Sequence, residues 1–176
     1  MSLSLFDAFV PGCLQILDAL DGVLDKGEAF AKENGLSAAD LIQARLYDNM
    51  LPFAYQVKSC WVHSALAIEG VRTGTFSPES SEPPVDWASL HAKVAEARTA
   101  LKATSADELE SMADNVVDFS INGKVLMTFV GQDFLLSFSQ PNFYFHATTA
   151  YDILRERGVP LGKLDYLGPM RIKAPG

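Results

Sequence analysis

The stretch that most constrains this chain is GQDFLLSFSQPNFYFHATTAYDILRERG, residues 131–158. Its inward-type residues recur at helical spacing: Phe134, Leu135 and Phe138, then Phe145, Thr149 and Ile153. A run of that length and period is a helix with one face buried, so the rest of the chain has to supply its neighbours. Pro141 lies in the middle, where it removes a backbone donor and crowds the carbonyl of Ser137. The apolar phase carries across it, which predicts one helix over 134–157 bent at Pro141, not two helices. On the same stripe stand Asn142 and His146. Four residues apart, they stack about one turn, roughly 6 Å, apart on one helix face. An amide and an imidazole on a buried face demand partners, and this marks the centre of a candidate site.

The neighbours can be read in order. Residues 3–34 form a long helix with Pro11-Gly12 near its start and Asn34-Gly35 as its stop. Ser37 caps a short helix to about Tyr47. Residues 51–71 make a second long helix, entered at Pro52. The Pro- and Ser-rich stretch 73–86 reads as an irregular crossover, and Asp86 caps a third helix carrying Trp87, Leu90, Val94, Ala97 and Leu101 inward. Ser105 to Glu108 is a capping-box pattern. Val116–Ile121 and Lys124–Val130, joined by Asn122-Gly123, predict a β-hairpin with a type I′ turn. Beyond Gly158 the chain reads as a tail without regular structure, anchored through about Leu167 and loose over 168–176. The expected fold is all-α: a single domain over 1–176, a four-helix bundle with a small β-hairpin inserted before the last long helix.

Charge and composition exclude several functions. With 14 basic against 22 acidic residues the net charge is -8, and scattered Lys and Arg do not suit a polyanion, so no nucleic-acid partner is expected. No apolar run approaches membrane-spanning length and no basic region precedes the first apolar residues, so no membrane partner is expected. Two cysteines, Cys13 and Cys60, make no disulfide framework and suit a reducing compartment, which makes the cytoplasm the expected location.

The second helix carries the other candidates. Phe53, Val57 and Trp61 follow one line; Gln56, Cys60, His63 and Ala67 follow another that is more polar than a core stripe should be. That second line either meets solvent or brings Gln56 beside Asn142 and His146 in the interior. In the interior the three side chains can hydrogen-bond one another. They can equally orient a small molecule between apolar walls of Phe138, Phe145 and Phe53.

Four segments carry a family resemblance: MSLSLFDAFVPGCLQIL, QARLYDNMLPFAYQV, the hairpin, and GQDFLLSFSQPNFYFHATTAYDILRERGVPLGKLDYLG. Together they resemble a branch of the DinB-like (YfiT-like) metalloenzyme superfamily that is itself a domain of unknown function. The resemblance implies a four-helix bundle, commonly a homodimer, with a divalent metal held by three histidines. One histidine comes from the second helix and two, four residues apart, from the last. Relatives use the metal to activate a low-molecular-weight thiol in transfer or isomerisation. Here those positions fall on Gln56, Asn142 and His146, so a single imidazole remains. Amide oxygens are poor partners for zinc or nickel. Cys60 and His63 are the other metal-ligand candidates on the second helix. Two function classes are open: a binding protein with a degenerate metal site and a small-molecule ligand, or a metal- or thiol-dependent transferase or isomerase.

Overall fold

The computed structural model describes residues 3–173. Four long helical runs dominate it. The first is α1 (Leu5–Glu33), capped by the Ser4 hydroxyl, which accepts from the Asp7 amide at 3.0 Å. Pro11 lies inside α1, where it has no N–H for the Asp7 carbonyl, and the helix continues through it. A Cβ on Gly12 would stand 2.7 Å from the Tyr144 hydroxyl, so this glycine lets the last helix approach. After α1, a full capping box between Ser37 and Asp40 starts α2 (Ala38–Ile42). This helix ends sooner than expected, because the chain turns and the Ala44 carbonyl takes the Phe53 amide at 2.9 Å.

The second run, residues 53–73, comprises α3 (Phe53–Trp61), a π-helical stretch (Val62–Leu66) and α4 (Ala67–Thr73). The Ser64 hydroxyl donates to the Cys60 carbonyl at 2.6 Å within the widened turn. The third run is α5 (Trp87–Ala103), capped by Asp86, and α6 (Ala106–Ser111) comes after it, capped by Ser105. The Glu108 carboxylate does not close the anticipated capping box; it takes Arg72 at 2.7 and 3.1 Å.

The fourth run is unbroken from 131 to 156, as α7 (Gly131–Asp133), a second π-helical stretch (Phe134–Ser139) and α8 (Gln140–Glu156). The Gln140 amide reaches back five residues to the Leu135 carbonyl. One extra residue is thereby taken into the turn just before Pro141, where an α-turn would force the ring against a carbonyl. Each inserted residue rotates the downstream part of the helix by about 100°. The buried face therefore moves on to Phe143, Ala147, Ala150 and Leu154, with Thr149 and Ile153 still inside at its edge. Phe145, expected on the inward stripe, is turned out and 57% exposed.

α1 packs against α5 and α8, and α3 packs against the same two, so the four runs enclose one core. Phe53 is fully buried there, its ring 6.0 Å from that of Trp87.

The molecule is mostly helical, but it is not all-α with a lone hairpin. β2 (Val116–Ile121) and β3 (Lys124–Val130) pair antiparallel around Asn122 (φ 50) and Gly123 (φ 76). The crossover expected to be irregular begins with β1 (Thr75–Phe76), which pairs parallel to β2 and gives the order β1-β2-β3. A hairpin alone is marginal in water, and the third strand with buried Phe76, Val117 and Phe119 ties it to the helices.

The region read as a structureless tail contains α9 (Lys163–Leu167). Asp165 holds it at both ends of a contact, accepting from the Gly162 amide and from Lys26, each at 2.7 Å. The loose end expected over 168–176 lies outside the described residues past 173. Among the described residues, no helix is long and apolar enough to cross a membrane.

Candidate functional site

Between the second and fourth helical runs lies a cleft of about 190 Å³, closed on its remaining side by the sheet and the crossover. At about 30 Å³ per water, that is room for roughly six waters, less than a drug-sized ligand needs. His63, Asn142 and His146 all line it.

His146 is oriented by a relay. The Gln56 Nε2 donates to the Leu51 carbonyl at 2.9 Å, so its Oε1 is left as the acceptor for His146 Nδ1 at 2.7 Å. Nδ1 therefore carries the proton and Nε2 keeps its lone pair, with no partner among the described residues. The ring also meets Tyr55 edge-on at 6.0 Å. His63 stacks on it, with centroids 5.6 Å apart and planes 12° from parallel, and is boxed by Phe76 and Phe138 at 5.9 and 5.8 Å. His63 Nδ1 is buried and unpartnered among the described residues. Burial pushes His146 down to about 4. Burial, and then the neighbouring His146, pushes His63 down to about 3. Both rings are neutral near pH 7, and the stack cannot accept two protons cheaply.

The other expected residues divide between the cleft, the core and the surface. Asn142 lines the cleft, but its Nδ2 donates to the Phe138 carbonyl at 2.7 Å, so the three-way amide–imidazole network reduces to Gln56 and His146. Phe138 walls the cleft. Phe145 does not, because the extra residue in the π turn has rotated it outward. Phe53 belongs to the core behind the cleft. Cys60 is buried outside it with its Sγ donating to the Gln56 carbonyl at 3.4 Å, and burial pushes its thiol well above the usual range. It is placed neither as a nucleophile nor as a ligand.

Two lining residues, Lys58 and Glu79, carry no signal in the sequence pattern. Lys58 is 2% exposed on α3 and pairs with Glu79 of the crossover. A lysine in a helix reads as solvated, and its partner lies 21 positions away in a stretch without periodicity. His63 did carry a signal, since it stands two turns beyond Gln56 on one helix face.

A family model described as a domain of unknown function, DUF1993, matches residues 5–167. The chain belongs to the DUF1993 family. Its fold is similar to the crystal structure, at 1.83 Å resolution, of a DinB family member protein from Shewanella denitrificans. The two share 31% identity with a TM-score of 0.81, over 97% of this chain and 96% of that one. No functionally curated protein matches this DUF1993 chain.

The donors in the DUF1993 cleft can be tested against the metal implied by the DinB-like resemblance. Two neutral imidazoles suit zinc or nickel, but the further donors are two amides, of which Gln56 Oε1 is already engaged by His146, and the Glu79 carboxylate, which Lys58 and Ser81 already hold. Among the described residues, no three His, Cys, Asp or Glu side chains are grouped to hold a metal ion. The set does not fit. Gln56 instead plays the part that a backing residue plays behind a ligand, fixing which ring nitrogen is free.

Proposed function

We propose that this DUF1993 protein is a binding protein, built on a DinB-like four-helix bundle of residues 5–33, 53–73, 87–103 and 131–156, that takes a small flat molecule in the cleft beside His146. The observation that carries this is the stacked pair of imidazoles, His146 held by Gln56, inside an aromatic-walled cleft. His146 Nε2 is an acceptor held in one tautomer by Gln56, and Tyr55, Phe76, Phe119 and Phe138 give a flat ligand apolar faces to lie against. The ligand supplies the hydroxyl or N–H that His146 lacks. A metal- or thiol-dependent transferase or isomerase would need a third strong ligand, which this donor set does not offer.

Phenol, a flat molecule with one donor, tests the reading. Titration followed through the imidazole nitrogen resonances is expected to give a saturable shift at His146 Nε2 that His146→Phe removes. No saturable shift up to millimolar phenol would overturn it. The same proposal includes a homodimer. Exposed apolar residues on β3, Val125, Leu126 and Met127 among them, favour it, and light scattering that gives 19.2 kDa at micromolar concentration would remove it.

A further inference from the structure

We propose that the cleft selects a small monocarboxylate, and that Glu79 of the crossover occupies Lys58 as a built-in stand-in for that carboxylate. This rests on the binding reading above and names its ligand class.

The argument starts from Lys58. An ammonium at 2% exposure needs oxygens around it. Its Nζ finds the Glu79 carboxylate, the Glu79 carbonyl at 3.3 Å, the Ser81 carbonyl and the Ser81 hydroxyl at 3.1 Å. Every one of these comes from two residues of an irregular segment, and none from the packed helices. The Glu79 carboxylate is itself seated as a bound ligand would be. One oxygen accepts from the Ser81 amide and the other from the Ser81 hydroxyl, both at 2.8 Å. Burial opposes the charged form of Glu79, but the hydrogen bonds from Lys58 and Ser81 outweigh it and lower its pKa to about 2, so it is a carboxylate throughout the physiological range.

The charge count of the lining sets the ligand class. Lys58 is its one cation, Glu79 its one anion, and both histidines are neutral. A ligand with a single carboxylate can replace Glu79 and leave the cleft neutral. A cation would find no free carboxylate, and a dianion would face one ammonium with its second charge unmatched. The aromatic walls and the His146 acceptor complete the description: an aryl or branched aliphatic monocarboxylate with a hydroxyl or N–H at its far end. A tethered carboxylate competes at an effective concentration on the order of millimolar, so the wild type is expected to bind such ligands weakly and the competitor's removal to strengthen binding.

The test is calorimetric titration with 4-hydroxybenzoate and its uncharged isostere 4-hydroxybenzamide. Glu79→Gln is expected to bind the acid at least tenfold more tightly than the wild type while leaving the amide unchanged, and Lys58→Met is expected to abolish the gain. Equal or weaker binding of the acid by Glu79→Gln, or an equal gain for the amide, would overturn the proposal. Should Glu79→Gln fail to fold, Ser81→Ala loosens the stand-in without altering charge. It is expected to gain several-fold for the acid alone, and no gain would count against the proposal equally. Binding of both probes indifferent to residue 79 removes only this inference. Absence of binding by either probe in every variant removes the binding reading with it.

Discussion

On the α1–α5 side of the molecule, His91 and Arg98 meet carboxylates at the surface. His91 Nδ1 is 2.6 Å from Asp21, and Arg98 lies 2.7 Å from Asp18 and 3.2 Å from Asp21. On the α3–α8 side, His63 and His146 are stacked inside with an amide as the one hydrogen-bonding partner of the pair among the described residues. Both arrangements put histidine on a helix beside another helix, and they differ in what surrounds it. The outer groups are partly solvated, and Arg98 is paired there charge to charge with Asp18 and Asp21, a type of contact worth about 0.2–1 kcal/mol. The inner groups are held neutral by burial, and packing gives His146 Nδ1 a partner while leaving His63 Nδ1 without one among the described residues. Polar groups kept inside without full satisfaction are costly to stability, which makes the inner pair the side where function is to be sought.

The largest effect expected from this contrast is on stability against pH. The folded-state values of about 4 and about 3 lie below the ordinary histidine value of 6.5, so below pH 6.5 the unfolded chain binds more protons than the folded one. Stability should be full above about 6.5 and fall as the pH drops toward 4, with His146 alone accounting for roughly 3 kcal/mol. Glu79 acts in the same direction at lower pH, because its stabilisation is present above 4.5 and lost toward about 2. Urea unfolding between pH 7.5 and 4.5 measures this, and His63→Phe should flatten the dependence. A wild-type profile already flat there would erase the distinction between the two sides.

Gln56→Leu should come next. It strands the His146 Nδ1–H and the Leu51 carbonyl, a loss of about 1–3 kcal/mol, and frees the ring to change tautomer, visible in its nitrogen shifts. A loss under about 0.5 kcal/mol would mean the relay does not hold the ring. On the outer side Arg98→Ala should cost about 1 kcal/mol or less and depend on salt, and a cost above 2 would contradict its reading as a solvated pair. The smallest change belongs to Phe145→Ser, within about 0.5 kcal/mol for an exposed position. Had the helix kept its phase across Pro141, the same substitution would cost several kcal/mol.

Much of the fold was legible because its signals are local. Asn122-Gly123, the caps at Ser37, Asp86 and Ser105, and the period of α1 and α5 each need a few neighbouring residues to act. What escaped depends on distant or backbone-level effects. β1 is two residues long and exists through its pairing with β2. Lys58 is inside because residues 79 and 81 fold over it. Gln56 and His146 were brought together on the expected face, but Asn142 satisfied itself on the Phe138 carbonyl, a local side-chain-to-backbone bond open to an asparagine four residues past a helical carbonyl.

The widened turn before Pro141 also bears on how chains of this kind are to be compared. Closing the turn at 134–139 to ordinary helical pitch with every residue kept would swing everything downstream through about 100°, carrying His146 out of the cleft and Phe145 toward it. Deleting one residue there would instead close the turn and leave the downstream face in place. The side chain offered to the cleft is thus chosen by backbone gearing as much as by residue identity. Two sequences with the same histidine count can differ in which histidine faces inward if only one of them widens this turn, and a gap of one position across it, closed as a plain α-turn, keeps the same site.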